Sequence, residues 1–141
     1  LARGIYPPLL ADRGLVVALE SQARKATVPV AVSADNVGRY SQDVEATVYF
    51  CVLEGLQNVQ KYAGASRVVV RLAGDDRELL FDISDDGVGY DMATAKKGAG
   101  LTNMADRIEA LGGSLVVTSD PGRGTAIHAV IQAVARDAVG A

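Results

Sequence analysis

Much of what staples or anchors a small protein is scarce in this 141-residue chain. It holds one cysteine, Cys51, which excludes an internal disulfide, and one histidine, His128, which excludes a zinc set built from the two residue types. So little cysteine fits a reducing compartment. No apolar run approaches the ~18 residues of a membrane span, and no signal-peptide pattern opens the chain. Leu1 stands where a Met would begin a complete protein, so the chain reads as a piece of something longer. A basic excess is missing too. The net charge of −3 and isoelectric point near 5.1 leave no positive field for a polyanionic duplex, which excludes nucleic acid as the partner. Internal repeats and low-complexity stretches are absent.

What remains is ordinary globular usage, 49% hydrophobic and 22% charged, at a length that suits one domain. Glycine is in excess, with 15 residues, many of them between Gly87 and Gly113. Tyr6-Pro7-Pro8 predicts an extended turn that separates the first residues from the rest. Leu15, Val16, Leu19 and Ala23 recur at helical spacing, and Pro29–Val32 reads as a short strand. A long helix is expected over Ser41–Ala63, with Ser41 as N-cap, Asp43 and Glu45 in the first turn, and Gly64 as C-cap. Arg67–Ala73 and Glu78–Asp85 read as a hairpin across Gly74-Asp75-Asp76. Leu101, Met104, Ala105, Ile108 and Leu111 predict a one-faced helix stopped at Gly112-Gly113. Strands over Ser114–Ser119 and Thr125–Ala133 then bracket the turn Asp120–Gly124. This order predicts an α+β fold, a two-layer sandwich whose mixed, mostly antiparallel sheet carries helices on one face.

Three features carry chemistry. On the long helix, α geometry puts Glu54, Asn58 and Lys61 within a stripe of about 60°, between apolar neighbours where polar groups need partners. Taken alone, that row is equally a solvated charged face. Asp85-Asp86-Gly87-Val88-Gly89 ends a strand with carboxylates and two glycines. The acid can accept from a ligand amine, and the glycines let a flat ring approach the backbone, although a plain Asp-Gly turn has the same composition. Gly98-Ala99-Gly100 opens the later helix, where unpaired N–H groups favour an anion. Neither the Walker nor the Rossmann glycine pattern is present.

In combination these segments resemble the ATP-binding domain of the GHKL superfamily, and within it the catalytic domain of two-component sensor histidine kinases of the nitrate-sensor type. Glu54–Ala63 is similar to the N box, Asp85–Gly89 to the D-x-G-x-G box, Gly98–Leu101 to the G-x-G-L box, and Gly122–Thr125 to the closing G-x-G-T. The resemblance implies ATP and Mg²⁺ as ligands. Asp85 would accept from the adenine amine with Thr125 nearby through water, and Gly87 and Gly89 would shape the base pocket. Asn58 would bind the metal and Lys61 the phosphates, while Gly98, Gly100 and Leu101 would flank the phosphate tail. Glu54 would act in magnesium hydration or positioning. It further implies that residues 1–14 end a dimerisation helix and linker and that residues 15–141 form the catalytic domain. The partners would be an upstream dimerisation and phosphoacceptor domain, a response regulator, and a second copy of the parent, which works in the cytoplasm whether membrane-anchored or soluble. Tyr62 departs from the usual His, and the lid between Gly89 and Gly98 is short. His128 alternates with Ile127, Ala129 and Ile131, so it belongs to a sheet surface and not to a phosphoacceptor site. A serine kinase of the anti-sigma-factor type, a gyrase-like ATPase and a binding module without catalysis share the boxes and stay open.

Overall fold

Alternation of apolar and polar side chains gives the strands one dry and one wet face. The computed structural model describes residues 7–75, 77–89 and 99–134. Its elements are α1 (Pro8–Arg13), α2 (Leu15–Lys25), β1 (Val30–Asp35), α3 (Gln42–Asn58), β2 (Val68–Gly74), β3 (Glu78–Asp85), α4 (Ala99–Ala110), β4 (Ser114–Ser119) and β5 (Thr125–Gln132). A π turn, Val59–Ala63, continues α3 and ends at Gly64, whose φ of +58° is left-handed. Among the described residues one five-stranded sheet runs β1-β2-β3-β5-β4, with β1 parallel to β2 and the other neighbours antiparallel. The expected mixed, mostly antiparallel sheet is therefore present.

Its dry face carries Val68, Val70 and Leu72 of β2, Leu79, Phe81 and Ile83 of β3, and Ile127, Ala129 and Ile131 of β5, all buried. Against them lie Val48, Val52 and Leu56 of α3 and Met104 and Ile108 of α4, in one continuous core. The wet face is paired across strands. His128 Nδ1 meets Asp82 Oδ1 at 2.5 Å, and Gln132 Nε2 donates to Glu78 Oε2 at 2.9 Å. His128 thus lies opposite the buried isoleucines, as its place in the alternation requires.

Local pattern and structure part at two places near the start. Pro7 is extended (φ −59°, ψ 124°), but Pro8 opens a helix where a turn was expected. Proline is preorganised for the first helical position, and Leu10 of this six-residue helix is fully buried in the core. Strand β1 also runs past Val32 to Asp35, because parallel pairing from Val30↔Val68 to Asp35↔Ala73 gives its backbone partners that no local pattern announces.

A buried carboxylate joins these first elements. Glu45, only 1% exposed, accepts from Arg39 Nε at 3.0 Å and from the Tyr40 N–H at 3.1 Å. Arg39 Nη2 also donates to the Ala11 carbonyl at 2.9 Å, which ties α1 to the entry of α3.

Candidate functional site

The inward phase of β3 continues from Ile83 to Asp85, so this half-buried acid stands on the dry side where the strand leaves the sheet. Its Oδ1 accepts from the Gly87 N–H at 2.8 Å. The β3–β5 register ends at Ser84↔Ala126, and the next step along it sets Asp85 beside Thr125. Thr125 in turn pairs with Ser119 of β4. An acid and two hydroxyls therefore form a row across three strands at one end of the covered face. Ser119 is 3% exposed, and its Oγ donates to the Gly124 carbonyl at 3.1 Å and lies 2.8 Å from Thr125 Oγ1.

Two glycine boxes close against each other at this end. Gly89 has φ +64° and Gly124 has φ +76°, both in the region that L side chains avoid. A Cβ at Gly89 would overlap the Asp120 carbonyl, and one at Gly124 would overlap the Asp85 carbonyl. The Gly122 N–H donates to the Val88 carbonyl at 2.6 Å. The loop after β3 and the turn before β5 are thus one packed unit. Asp86 turns away from this row and anchors the start of β2. It accepts from the Ser66 and Arg67 N–H groups at 2.8 and 3.0 Å and from the Ser66 hydroxyl. These bonds, the Ser66 hydroxyl first, hold its carboxyl below the ordinary aspartate value.

Helix α3 brings the second group of residues. Ser41 caps it, its Oγ accepting from the Val44 N–H at 3.3 Å. Gly55 lets the helix approach β3: a Cβ there would stand 2.7 Å from Ile83 Cδ1. Glu54 and Asn58, one turn apart, are both half-buried. Lys61 is exposed and sits in the π turn. That wider turn advances by fewer degrees per residue than an α-helix, which rotates Lys61 off the line that α spacing drew through the three. Gln60 pins the same turn, its Oε1 accepting from the Thr27 N–H and Oγ1, each at 2.8 Å. Arg107 of α4 stacks on Phe50 of α3 at 3.9 Å. Between these helices burial pushes the Cys51 thiol up to about 12, against the lowering effect of Arg107, with Glu54 adding to the rise.

Gly100 and Leu101 lie in the first turn of α4, Leu101 partly buried against the core. Gly98 and the lid segment 90–98 lie outside the described residues. Ser119, Asp86 and Glu45 were not singled out as site or anchor residues by motif. The available signal at Ser119 was a polar residue in phase with Leu115 and Val117. Among the described residues no three His, Cys, Asp or Glu side chains gather as a metal site. A magnesium ion that keeps most of its waters requires no such group, and the amide oxygen of Asn58 is a hard donor of the right kind.

The family model described as Histidine kinase-, DNA gyrase B-, and HSP90-like ATPase matches residues 43–135. Signal transduction histidine-protein kinase/phosphatase DegS of Brevibacillus brevis is 32% identical over 124 residues, covering 84% of this chain and 32% of that protein. Sensor histidine kinase MctS of Rhizobium johnstonii is 28% identical over 140 residues, covering 93% of this chain and 30% of that protein. Among solved structures, the blue-light activated histidine kinase of Erythrobacter litoralis aligns at a TM-score of 0.67 and 24% identity, over 84% of this chain and 41% of that one. The mycobacterial sensor histidine kinase MprB aligns at 0.62 and 24%, over 84% and 92%. These two likenesses speak for the fold. The chain spans about a third of the length of the two curated relatives described.

Proposed function

Because the chain belongs to the family of histidine kinase-, DNA gyrase B- and HSP90-like ATPases, we propose that it binds Mg·ATP and serves as the catalytic domain of a sensor histidine kinase. The observation that carries this reading is the closure of the two glycine boxes on each other at the sheet's end, one step past the Ser84↔Ala126 pair, where β3 ends in Asp85 and β5 begins at Thr125. Curated relatives named as histidine kinases support the choice within the family.

In this reading Asp85 accepts from the amine of adenine, and Gly87 and Gly89 shape the base pocket, Gly89 by letting its loop close against Asp120 and Gly124. With Oδ1 held by Gly87, the carboxylate is oriented before the base arrives. Asn58 would hold Mg²⁺, which when bound neutralises phosphate charge; Lys61 adds a positive side chain to the same end of the ligand. Gly98, Gly100 and Leu101 would flank the phosphate tail, and the N–H groups at the start of α4 favour such an anion. Glu54, one turn before Asn58, would act in magnesium hydration or in positioning. Phosphoryl transfer depends on positioning and charge more than on covalent chemistry by the protein. A neutral imidazole presented by another domain is then a competent acceptor at physiological pH.

The rest of the parent follows as part of the proposal. Residues 1–14 are the end of a dimerisation helix and its linker, with the acceptor histidine on a helix upstream of that linker, and residues 15–141 are the catalytic domain. The parent acts as a homodimer in the cytoplasm and passes its phosphoryl group to a response regulator. No helix among the described residues is long and apolar enough to cross a membrane, and no membrane contact is assigned to this domain.

Calorimetric titration with ATP and ADP, with and without Mg²⁺, tests the binding step. Heat of association with adenine nucleotide, strengthened by Mg²⁺ for ATP, is expected; a folded chain that binds neither nucleotide overturns the proposal. Labelled ATP then tests transfer, which should reach a supplied acceptor domain in a Mg²⁺-dependent way and leave this chain unlabelled when alone.

A further inference from the structure

The π turn that continues α3 is held by a side chain of its own, Gln60. Gln60 Nε2 donates to the Leu56 carbonyl at 3.3 Å. That carbonyl is the acceptor that α geometry, i to i−4, reserves for the backbone N–H of Gln60 itself. A side-chain donor placed there competes with the α register. At its other end the same amide is anchored far along the chain. Its Oε1 accepts from both the N–H and the Oγ1 of Thr27, each at 2.8 Å and 33 positions away. Thr27 lies in the connection between α2 and β1, so the turn is tied to a second part of the fold. Lys61 follows directly. It is exposed, and among the described residues its side chain makes no hydrogen bond or ion pair. The backbone turn is therefore what sets the direction in which it leaves the helix.

We infer that Gln60 is a positioning residue: with Thr27 as its anchor it holds the π turn, and so keeps the Lys61 ammonium from crowding a divalent cation at Asn58. This deepens the Mg·ATP reading above and rests on it. On a plain α-helix Asn58 and Lys61, three positions apart, are neighbours on one face. A metal ion at the first and an ammonium at the second are like charges side by side, and each weakens the other's hold on the phosphates. The π turn rotates Lys61 away from that face. Both cations then attract one polyanion with less mutual repulsion. Gln60 touches no ligand in this scheme; it acts through Lys61.

Without the Gln60 amide, the Leu56 carbonyl is open to the backbone N–H and the turn can close to α. The experiment measures ATP affinity of the whole chain by calorimetry, once with Mg²⁺ and once with divalent cations removed by EDTA. The ratio of the two affinities, the gain from Mg²⁺, should fall about fivefold in Gln60→Ala, chiefly through weaker binding with Mg²⁺. Thr27→Ala, which removes one of the two bonds to Oε1, should lower the gain less. Thr27→Ser keeps both the hydroxyl and the N–H and should match the unmodified chain. In a Lys61→Met background Gln60→Ala should change the gain no further, because no ammonium is left to misplace. Adenosine, which carries no phosphate, should bind all these variants equally, a readout that general loosening of the fold would move. Gln60→Met, of similar length without the amide, repeats the test if the alanine variant does not fold. An unchanged gain in folded Gln60→Ala or Gln60→Met, an equal fall with and without the Lys61 ammonium, or a parallel loss of adenosine affinity overturns the inference and leaves the nucleotide reading standing. An unmodified, folded chain that binds no ATP overturns both.

Discussion

Side by side at the end of β3, Asp85 and Asp86 carry the same carboxylate and are separated by their partners. Asp85 is held at one oxygen by the Gly87 N–H, while Asp86 takes two backbone N–H groups and a hydroxyl from Ser66 and Arg67. Substitution should separate them in the same way. On the proposed reading Asp85→Asn presents an N–H₂ group to the adenine amine, so ATP affinity should fall about ten- to hundredfold, as for a mismatched buried polar group. Titration calorimetry reads this loss, and unaltered affinity would remove Asp85 from base recognition. Asp86→Asn should instead change the response to acid. Its carboxyl is held below the ordinary aspartate value by the Ser66 hydroxyl and then the Arg67 N–H. For a depressed acid, the folded state binds protons less readily than the unfolded one. The stabilisation is therefore complete above the ordinary aspartate range and disappears as pH falls through the lowered value. Melting temperatures from pH 6 down to pH 2 should drop less steeply in Asp86→Asn than in the unmodified chain; parallel curves would contradict the assignment.

Between elements, the buried carboxylate of Glu45 accepts from Arg39 Nε and Nη2 and from the Tyr40 N–H. Glu45→Ala leaves the Tyr40 N–H and the Arg39 guanidinium without it, and Arg39 is the group that reaches the Ala11 carbonyl of α1. The expected loss is about 2–4 kcal/mol in urea unfolding, with Glu45→Gln losing less because an amide oxygen still accepts. A change below ~0.5 kcal/mol in Glu45→Ala would mark the cluster as a surface pair. This joint also illustrates what the chain discloses by itself. Helices α2, α3 and α4 were legible because their apolar residues recur at helical spacing over two or more turns, and strands β2 to β5 because short apolar segments are bounded by turn residues. Helix α1 was not, since six residues hold too little periodicity and Pro7-Pro8 reads equally as a turn or a helix entry. The π turn was invisible for a related reason: 3.6-residue spacing assumes the very geometry that Val59–Ala63 abandons. In the site, Asp85 and Thr125 could be named from their boxes. Ser119 depends on strand register, which pairs residues through backbone bonds formed only when β4 and β5 meet.

At the scale of the whole molecule, binding at one end of the sheet should be felt in the core through the opening equilibrium. Cys51 lies on α3 two turns before Asn58, is 0% exposed, and has its thiol pushed up to about 12 by burial. Two consequences follow from linkage. The folded state keeps the thiol proton longer than the unfolded state, so this group's contribution is complete below the ordinary thiol value and is lost as pH rises from about 9 toward 12. Below that range the sulfur is both covered and protonated, and alkylation requires the chain to open. A ligand that binds only the closed form lowers the open population by a factor of one plus the ligand concentration divided by Kd. At a nucleotide concentration ~100 times Kd this amounts to about 2.7 kcal/mol, or roughly a hundredfold slower reaction of Cys51 with iodoacetamide when closing outpaces labelling. The rate should be measured at pH 8 with and without Mg·ATP, and again on Asp85→Asn, where the protection should shrink in step with the lost affinity. Fast labelling of the native chain at the rate of the urea-unfolded one would contradict the burial of Cys51. Slow labelling that Mg·ATP leaves unaltered, at concentrations where calorimetry shows saturation, would mean that α3 opens without dismantling the site and that Asn58 and Cys51 do not share one cooperative unit.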